Sequence, residues 1–155
     1  MYKRQTYGGQ NVGAGKIDRL GKGIKAAMLI GAVYSVVALV VLYFSADYIA
    51  LLFVDAGETA IIELTRRFIM ASALFYIPLT GVNVYRFCIQ GMGFSVFAIL
   101  AGVFEMLART LVAILLIPHI GFNGACLANP AAWIAADLFL IPAFIHCCNK
   151  LKRYE

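Results

Sequence analysis

Charge is scarce in this chain. Of its 155 residues, 14% are Asp, Glu, Lys or Arg and 63% are hydrophobic, whereas a soluble domain carries roughly 25% charge. That shortage, with a mean hydropathy of +0.86, excludes an ordinary soluble domain and predicts an integral membrane protein built as one helical bundle. Histidine is scarcer still. His119 and His146 stand apart, and neither a Ser/His/Asp set nor a converging pair of carboxylates accompanies them, so no enzyme and no catalytic residue is predicted. Cys88, Cys126, Cys147 and Cys148 lack ligand spacing. The first two fall in apolar runs, where a thiol is usually a small core residue. His146-Cys147-Cys148 lacks the second ligand pair of a metal site. No metal and no cofactor is predicted.

Other absences concern the N-terminal third. The segment Gly8 to Lys25 is rich in glycine, but Gly15-Lys16 is followed by Ile17. A phosphate loop needs a hydroxyl there and a strand before it. The first apolar run is too long, starts too late and lacks a small-x-small cleavage site for a signal peptide. The formal charge of +5 does not point to nucleic acid, because the basic residues lie beside apolar spans rather than along a groove.

What is present is a set of apolar runs, and the stretch Ser95 to Leu116 organises them. It is long enough to cross a bilayer, yet Glu105 and Arg109 sit near its middle. A charge at that depth costs at least ~2.5–3.5 kcal/mol, so it faces protein or water. The acid-first i,i+4 order favours a helical ion pair. This span needs neighbours, and the others supply them. The reading is an all-α, polytopic membrane bundle with spans near 26–46, 66–90, 95–117 and 124–148, a basic lead-in over 1–25 and a basic tail over 149–155.

In chain order, Met1 to Gln5 is given no role. Gly8 to Lys25 reads as a flexible turn into an interfacial helix, with Lys16, Arg19, Lys22 and Lys25 on one face toward anionic headgroups. Gly23, Ala27, Gly31 and Ser35 form a small-residue stripe that admits a close helix. Tyr43 and Tyr48 fall where an aromatic belt lies. Asp47, Asp55, Glu58 and Glu63 mark a loop on the opposite side, and Asp55 with Glu58 has the spacing of a capping box. In the next span Pro78 predicts a kink and Arg86 snorkels to the interface. Tyr76, Thr80, Asn83, Phe87 and Gln90 share a face, either for interhelical hydrogen bonds or as a cavity wall. Gln90 to Ser95 is a tight turn, and Pro118, His119 and Gly121 end the third span. In the fourth, Gly124, Ala128, Ala132 and Ala136 make a second small stripe. Asn129, Trp133 and Asp137 lie on roughly one face, and Pro130 and Pro142 predict bends.

An even number of spans puts both termini on one side. That side holds Lys16, Arg19, Lys22, Lys25, Arg86, Lys150, Lys152 and Arg153, against Arg66 and Arg67 on the other, so both ends are expected to be cytoplasmic. Counted from the outer ends, Glu105 and Asp137 lie at nearly the same depth, ~18 Å down, with Arg109 roughly 6 Å nearer the outside. A cluster of Glu105, Arg109 and Asp137 follows. It either locks helices together or takes part in proton or cation coupling.

Gln10-Asn11-Val12-Gly13-Ala14-Gly15-Lys16 with Arg19 resembles the Q-N-x-G-A-G loop of the multidrug and toxic compound extrusion (MATE) family. So do Phe75-Tyr76-Ile77-Pro78, Gln90-Gly91-Met92-Gly93, Glu105 with Arg109, and Pro130-Ala-Ala-Trp133 followed by Asp137. The resemblance runs from about Thr6 to the end. It implies a two-lobed transporter of about twelve helices, of which this chain would be the last four helices of the second lobe. It also implies export of organic cations and drugs across the plasma membrane in exchange for sodium ions or protons, the coupling ion being bound mainly by helices outside this chain. The partners it implies are the bilayer, the remaining helices and small organic cations. A clipped reading frame is expected, with assembly with other chains as the other route to a full cavity. Two further readings stay open: a related flippase of lipid-linked sugars, whose cavity should be larger and more basic, and a small membrane module that scaffolds other proteins without transporting anything.

Overall fold

The computed structural model describes residues 2–153, with side chains from residue 6 onward. The side chains of Met1 to Gln5, given no role above, lie outside the described residues. Among the described residues every element is helical: α1 (Tyr2–Gly13), α2 (Asp18–Leu51), α3 (Thr59–Leu74), α4 (Tyr76–Gly91), α5 (Ser95–Leu115), α6 (Ile117–Ile120) and α7 (Phe122–Lys152). The protein is therefore all-α. Helices α2, α5 and α7 are each long and apolar enough to cross a membrane, and α3 with α4, bent by 52° at their junction, makes a fourth crossing if taken as one broken span. Helix α2, at 34 residues, reaches about 51 Å at 1.5 Å per residue, well beyond a ~30 Å hydrocarbon core.

Three local expectations need correction. The glycine-rich start is not a flexible lead-in: Gly8 to Gly13 belongs to α1, and only 14–17 form the turn before α2. Packing explains this. A Cβ on Gly8 would stand 2.9 Å from the Cys88 carbonyl oxygen and one on Gly9 3.2 Å from that of Gly91, so the bare backbone of α1 lies against the end of α4. Tertiary contact holds a helix that propensity alone would not. The capping box does not form: α3 starts at Thr59, and its N-cap Glu58 makes no side-chain cap hydrogen bond. The break in the second span falls at Phe75, ahead of Pro78. Helix α4 restarts at Tyr76, so Pro78 sits in its first turn, where a backbone N–H has no intrahelical acceptor anyway. Helix α7 runs as one element through Pro130 and Pro142.

The hub is α4 rather than α5. Helix α4 touches α1, α2, α3, α5 and α7, and its Val82, Val84, Cys88 and Ile89 are buried in one core with Leu20 and Ile24 of α2 and Leu140 and Cys147 of α7. Helix α5 buries only Ala98, Ala101 and Val112; Val96, Ile99, Met106 and Ile114 are exposed, as suits a lipid-facing surface. Its inner face lies against α7. Phe104 stacks on Phe139 with centroids 4.7 Å apart, and Phe97 packs on Phe139 and His146. The small stripe of α7 is used there too. Ala132 and Ala136 are fully buried, and a Cβ on Gly124 would meet the Leu116 and Ile117 backbone at 3.0 Å.

Candidate functional site

Helices α2 and α4 part to form an open groove of about 870 Å³, lined by Gly31, Tyr34 and Ser35 of α2 and by Tyr76, Thr80, Asn83 and Phe87 of α4. The two helices meet at its floor. Gly31 has no Cβ, and Thr80 Cγ2 fills the space one would need. The Ser35 hydroxyl donates to the Gly31 carbonyl at 2.8 Å and lies 3.3 Å from Thr80 Oγ1. With the Ser35 proton so used, Thr80 is the donor across the interface. Asn83 donates its amide N–H to the Leu79 carbonyl at 2.8 Å, which leaves its amide oxygen as an acceptor in the wall. The groove thus carries aromatic faces, hydroxyls and one amide acceptor, and no charged side chain lines it.

Of the residues singled out as cavity-lining, Tyr76, Thr80 and Asn83 line this groove, while Gln90, Asn129 and Trp133 do not. Gln90 lies at the end of α4, where its carbonyl accepts the Gly93 N–H at the turn. Asn129 is half-buried on α7. Trp133, also on α7, is 8% exposed and backs the Tyr76 ring at a centroid distance of 6.3 Å. Tyr34 was not anticipated. It follows Ile30 by one turn in an uncharged run, and its only polar neighbour in that run, Ser35, reads as part of the small-residue stripe.

The charged residues gather where α4 meets α5. Glu105 of α5 pairs with Arg86 of α4, and its second oxygen lies 3.6 Å from Arg109 Nη2. Arg86 therefore does not snorkel to the interface. A helical side chain leans toward its own N-terminus. Helix α4 enters a short turn into α5, so that lean carries Arg86 away from the turn and deeper into the bundle. Arg86 is five residues before the end of α4 and Glu105 ten residues into α5; the difference, about 7–8 Å along the axis, is within reach of an arginine. Asp137 takes no part in this ion pair, although it lies close enough to Glu105 to feel its charge. It makes no ion pair or hydrogen bond among the described residues, its Oδ1 is buried without a partner, and its carboxylate abuts Gly81 of α4, where a Cβ would lie 2.6 Å from Oδ2. Glu105 and Arg109 thus form one ion-paired set with Arg86 added, and Asp137 is a half-buried acid that feels the charge of Glu105 without joining the ion pairs. No group of three or more His, Cys, Asp or Glu converges among the described residues.

At the two ends of the bundle the charges pair differently. Lys152 of α7 pairs with Asp18 of α2, so the start of α2 and the end of α7 lie at one end. At the other, Arg66 Nη1 lies 3.1 Å from Asp47 and over the Tyr43 ring at 5.9 Å, and Arg67 pairs with Glu63.

A membrane-embedded, polytopic helical protein with a polar groove and buried ion pairs is the class this arrangement defines. Residues 5–115 match the MatE family model. The chain belongs to the MatE family, whose members are multidrug and toxic-compound efflux transporters. The match includes the groove, Arg86, Glu105 and Arg109, and stops short of α7 with Trp133 and Asp137. No curated protein and no solved structure matched the chain.

Proposed function

We propose that this chain is part of a secondary active antiporter of the plasma membrane that exports organic cations, drugs among them, in exchange for sodium ions or protons. The groove between α2 and α4 carries the reading. Tyr34, Tyr76 and Phe87 offer ring faces, Asn83 offers an acceptor, and no fixed positive charge repels the guest. A cation is drawn to such faces by about 0.5–2 kcal/mol per ring. A flippase of lipid-linked sugars would want basic groups there. The groove is open on one side, so further helices complete the cavity, and the full unit is two-lobed. Glu105 and Asp137 are the intramembrane acids this part contributes toward ion coupling, the coupling ion being held mainly by helices outside the chain. Both termini are cytoplasmic in this reading. The end that joins Asp18 to Lys152 also carries Lys16, Arg19, Lys22, Lys25 and Lys150, whereas the arginines of the other end are paired with acids.

The test is ethidium transport in vesicles holding the complete transporter, driven by an imposed sodium or proton gradient. Tyr34→Ala with Tyr76→Ala is expected to lower the rate tenfold or more while the protein still inserts and purifies. Wild-type ethidium transport by that double variant, or transport by the 155-residue chain alone, would overturn the reading.

A further inference from the structure

Where α1 meets the start of α2, a polar pocket of about 520 Å³ is lined by Tyr7, Gln10, Asn11, Lys16, Arg19 and Lys22. Beside it an apolar groove of about 310 Å³ runs along Gly23, Ile24, Ala27, Ile30, Val84 and Cys88, and Tyr7 lines both. We propose that the two together bind one anionic phospholipid, its phosphate among Lys16, Arg19 and Lys22 and an acyl chain along the apolar groove.

Three observations converge on this. First, the pocket carries an excess of positive charge, with Asp18 offsetting Lys22 only in part. Lys16, Arg19 and Lys22 form no ion pair among the described residues, and Asp18, the only acid between Gly8 and Lys25, is turned to Lys152. Second, the depth fits a headgroup. Lys22 lies four residues and Arg19 seven residues before the uncharged run that starts at Ala26. That places them about 6 and 10 Å outside the hydrocarbon, against a headgroup layer of roughly 5–8 Å on each side. Lys22 therefore lies within that layer and Arg19 at its outer edge. Third, the wall between the two compartments is held in place. The Tyr7 ring occupies the space a side chain would take at Gly23, and its hydroxyl donates to the Arg19 carbonyl at 2.8 Å. Asn11 is 8% exposed; it donates to the Tyr7 carbonyl, and its own carbonyl accepts the Lys16 N–H, both at 2.8 Å. The Gln-Asn-x-Gly-Ala-Gly segment, which contributes nothing to the transport groove, thus builds the pocket that presents the three cations. A free phosphate would use only the polar half. The adjoining apolar groove, whose lining includes the exposed Ile30, selects a lipid.

The experiment titrates the full chain in neutral detergent with phosphatidylglycerol or phosphatidylcholine of equal acyl composition and reads the melting temperature. Phosphatidylglycerol is expected to raise it by several degrees and phosphatidylcholine to leave it unchanged. Arg19→Gln with Lys22→Gln should demand tenfold more phosphatidylglycerol for the same shift, since each cation contributes to anionic-lipid attraction. Lys150→Gln with Arg153→Gln removes the same charge elsewhere at that end and should stay within twofold of wild type. All four side chains are solvent-exposed, and wild type in 0.5 M salt serves as a second measurement should a variant fold poorly: the phosphatidylglycerol shift should collapse there. Equal shifts with both lipids, equal losses in both double variants, or a shift reproduced by soluble glycerol phosphate would each overturn the proposal.

Discussion

Arg86 of α4 and Glu105 of α5 form an ion pair inside the bundle, and Arg109, one turn along α5, closes on the free oxygen of the same carboxylate at 3.6 Å. One acid therefore serves two guanidinium groups. The side chain of Glu105 is 15% exposed and that of Arg86 26%, and Arg86 Nε has no partner. Neither charge is well hydrated, so each depends on the other.

Removal of one member should cost more than removal of both. Glu105→Ala strands Arg86 in a dry site and is expected to destabilise the protein by about 3 kcal/mol, whereas Arg86→Leu with Glu105→Leu should fall within about 1 kcal/mol of wild type. Thermal unfolding in detergent separates the two. Glu105→Gln adds a functional reading. If transport by the complete protein keeps its sodium and pH dependence in that variant, Glu105 holds helices together and does not couple ions.

Gly81 and Asp137 give a second test. A Cβ at Gly81 would stand 2.6 Å from one carboxylate oxygen of Asp137 and 2.8 Å from the other. Gly81→Ala should therefore push α4 from α7 or drive the carboxylate into its own helix, at about 1–3 kcal/mol. Because the obstacle is a side chain, Gly81→Ala combined with Asp137→Ala should recover most of that loss. A double variant as unstable as the two singles added together would show that Gly81 is needed for some other reason.

How much of this could be read from the letters depends on how far each signal acts along the chain. The apolar runs of α2, α5 and α7 and the i,i+4 relation of Glu105 to Arg109 are local, and both are visible in the sequence. Tyr76, Thr80 and Asn83 share a helical face by spacing alone. The partner of Arg86 is not local. Its lean toward depth needs the direction of α4 and the closeness of α5, neither of which hydropathy supplies. Helix α1 is hidden for a related reason: Gly8 and Gly9 are poor helix formers, and they are helical because α4 lies against them. Asp137 has a depth in the sequence but no azimuth. Equal depth with Glu105 leaves the two acids within reach of each other's charge, while the rotation of α7 sets the Asp137 carboxylate against Gly81 rather than against a guanidinium. The place of α4 as hub has no local signature: 66–90 reads as one span among four, and which helix the others pack around is set by tertiary contacts.

Gly31 and Thr80 set the width of the groove floor. Gly31→Ala places a methyl where Thr80 Cγ2 already lies, and should destabilise by about 1–3 kcal/mol while widening the groove. Thr80→Ser removes that methyl and keeps the hydroxyl that reaches Ser35. Gly31→Ala in a Thr80→Ser background should then recover both the melting temperature and ethidium transport. Recovery of stability without transport would mean that the Thr80 methyl itself touches the substrate.

Two arginine–carboxylate pairs in this protein share a chemistry and differ in surroundings. Arg66 and Asp47 meet at 3.1 Å, with side chains 43% and 49% exposed, while Arg86 and Glu105 are far less accessible. In water the Arg66 pair gains little, because each ion exchanges good hydration for one partner. Arg66→Ala should cost no more than about 1 kcal/mol, part of it from the lost contact with the Tyr43 ring, and the difference from wild type should shrink as salt rises from 0.05 to ~0.5 M. Arg86→Ala should cost several times more and respond little to salt, since ions do not penetrate to screen it. Melting curves of the two variants at both salt concentrations settle the matter: a salt-sensitive Arg86→Ala would mean that water reaches Glu105, and the lock would then be a hydrated site open to ions.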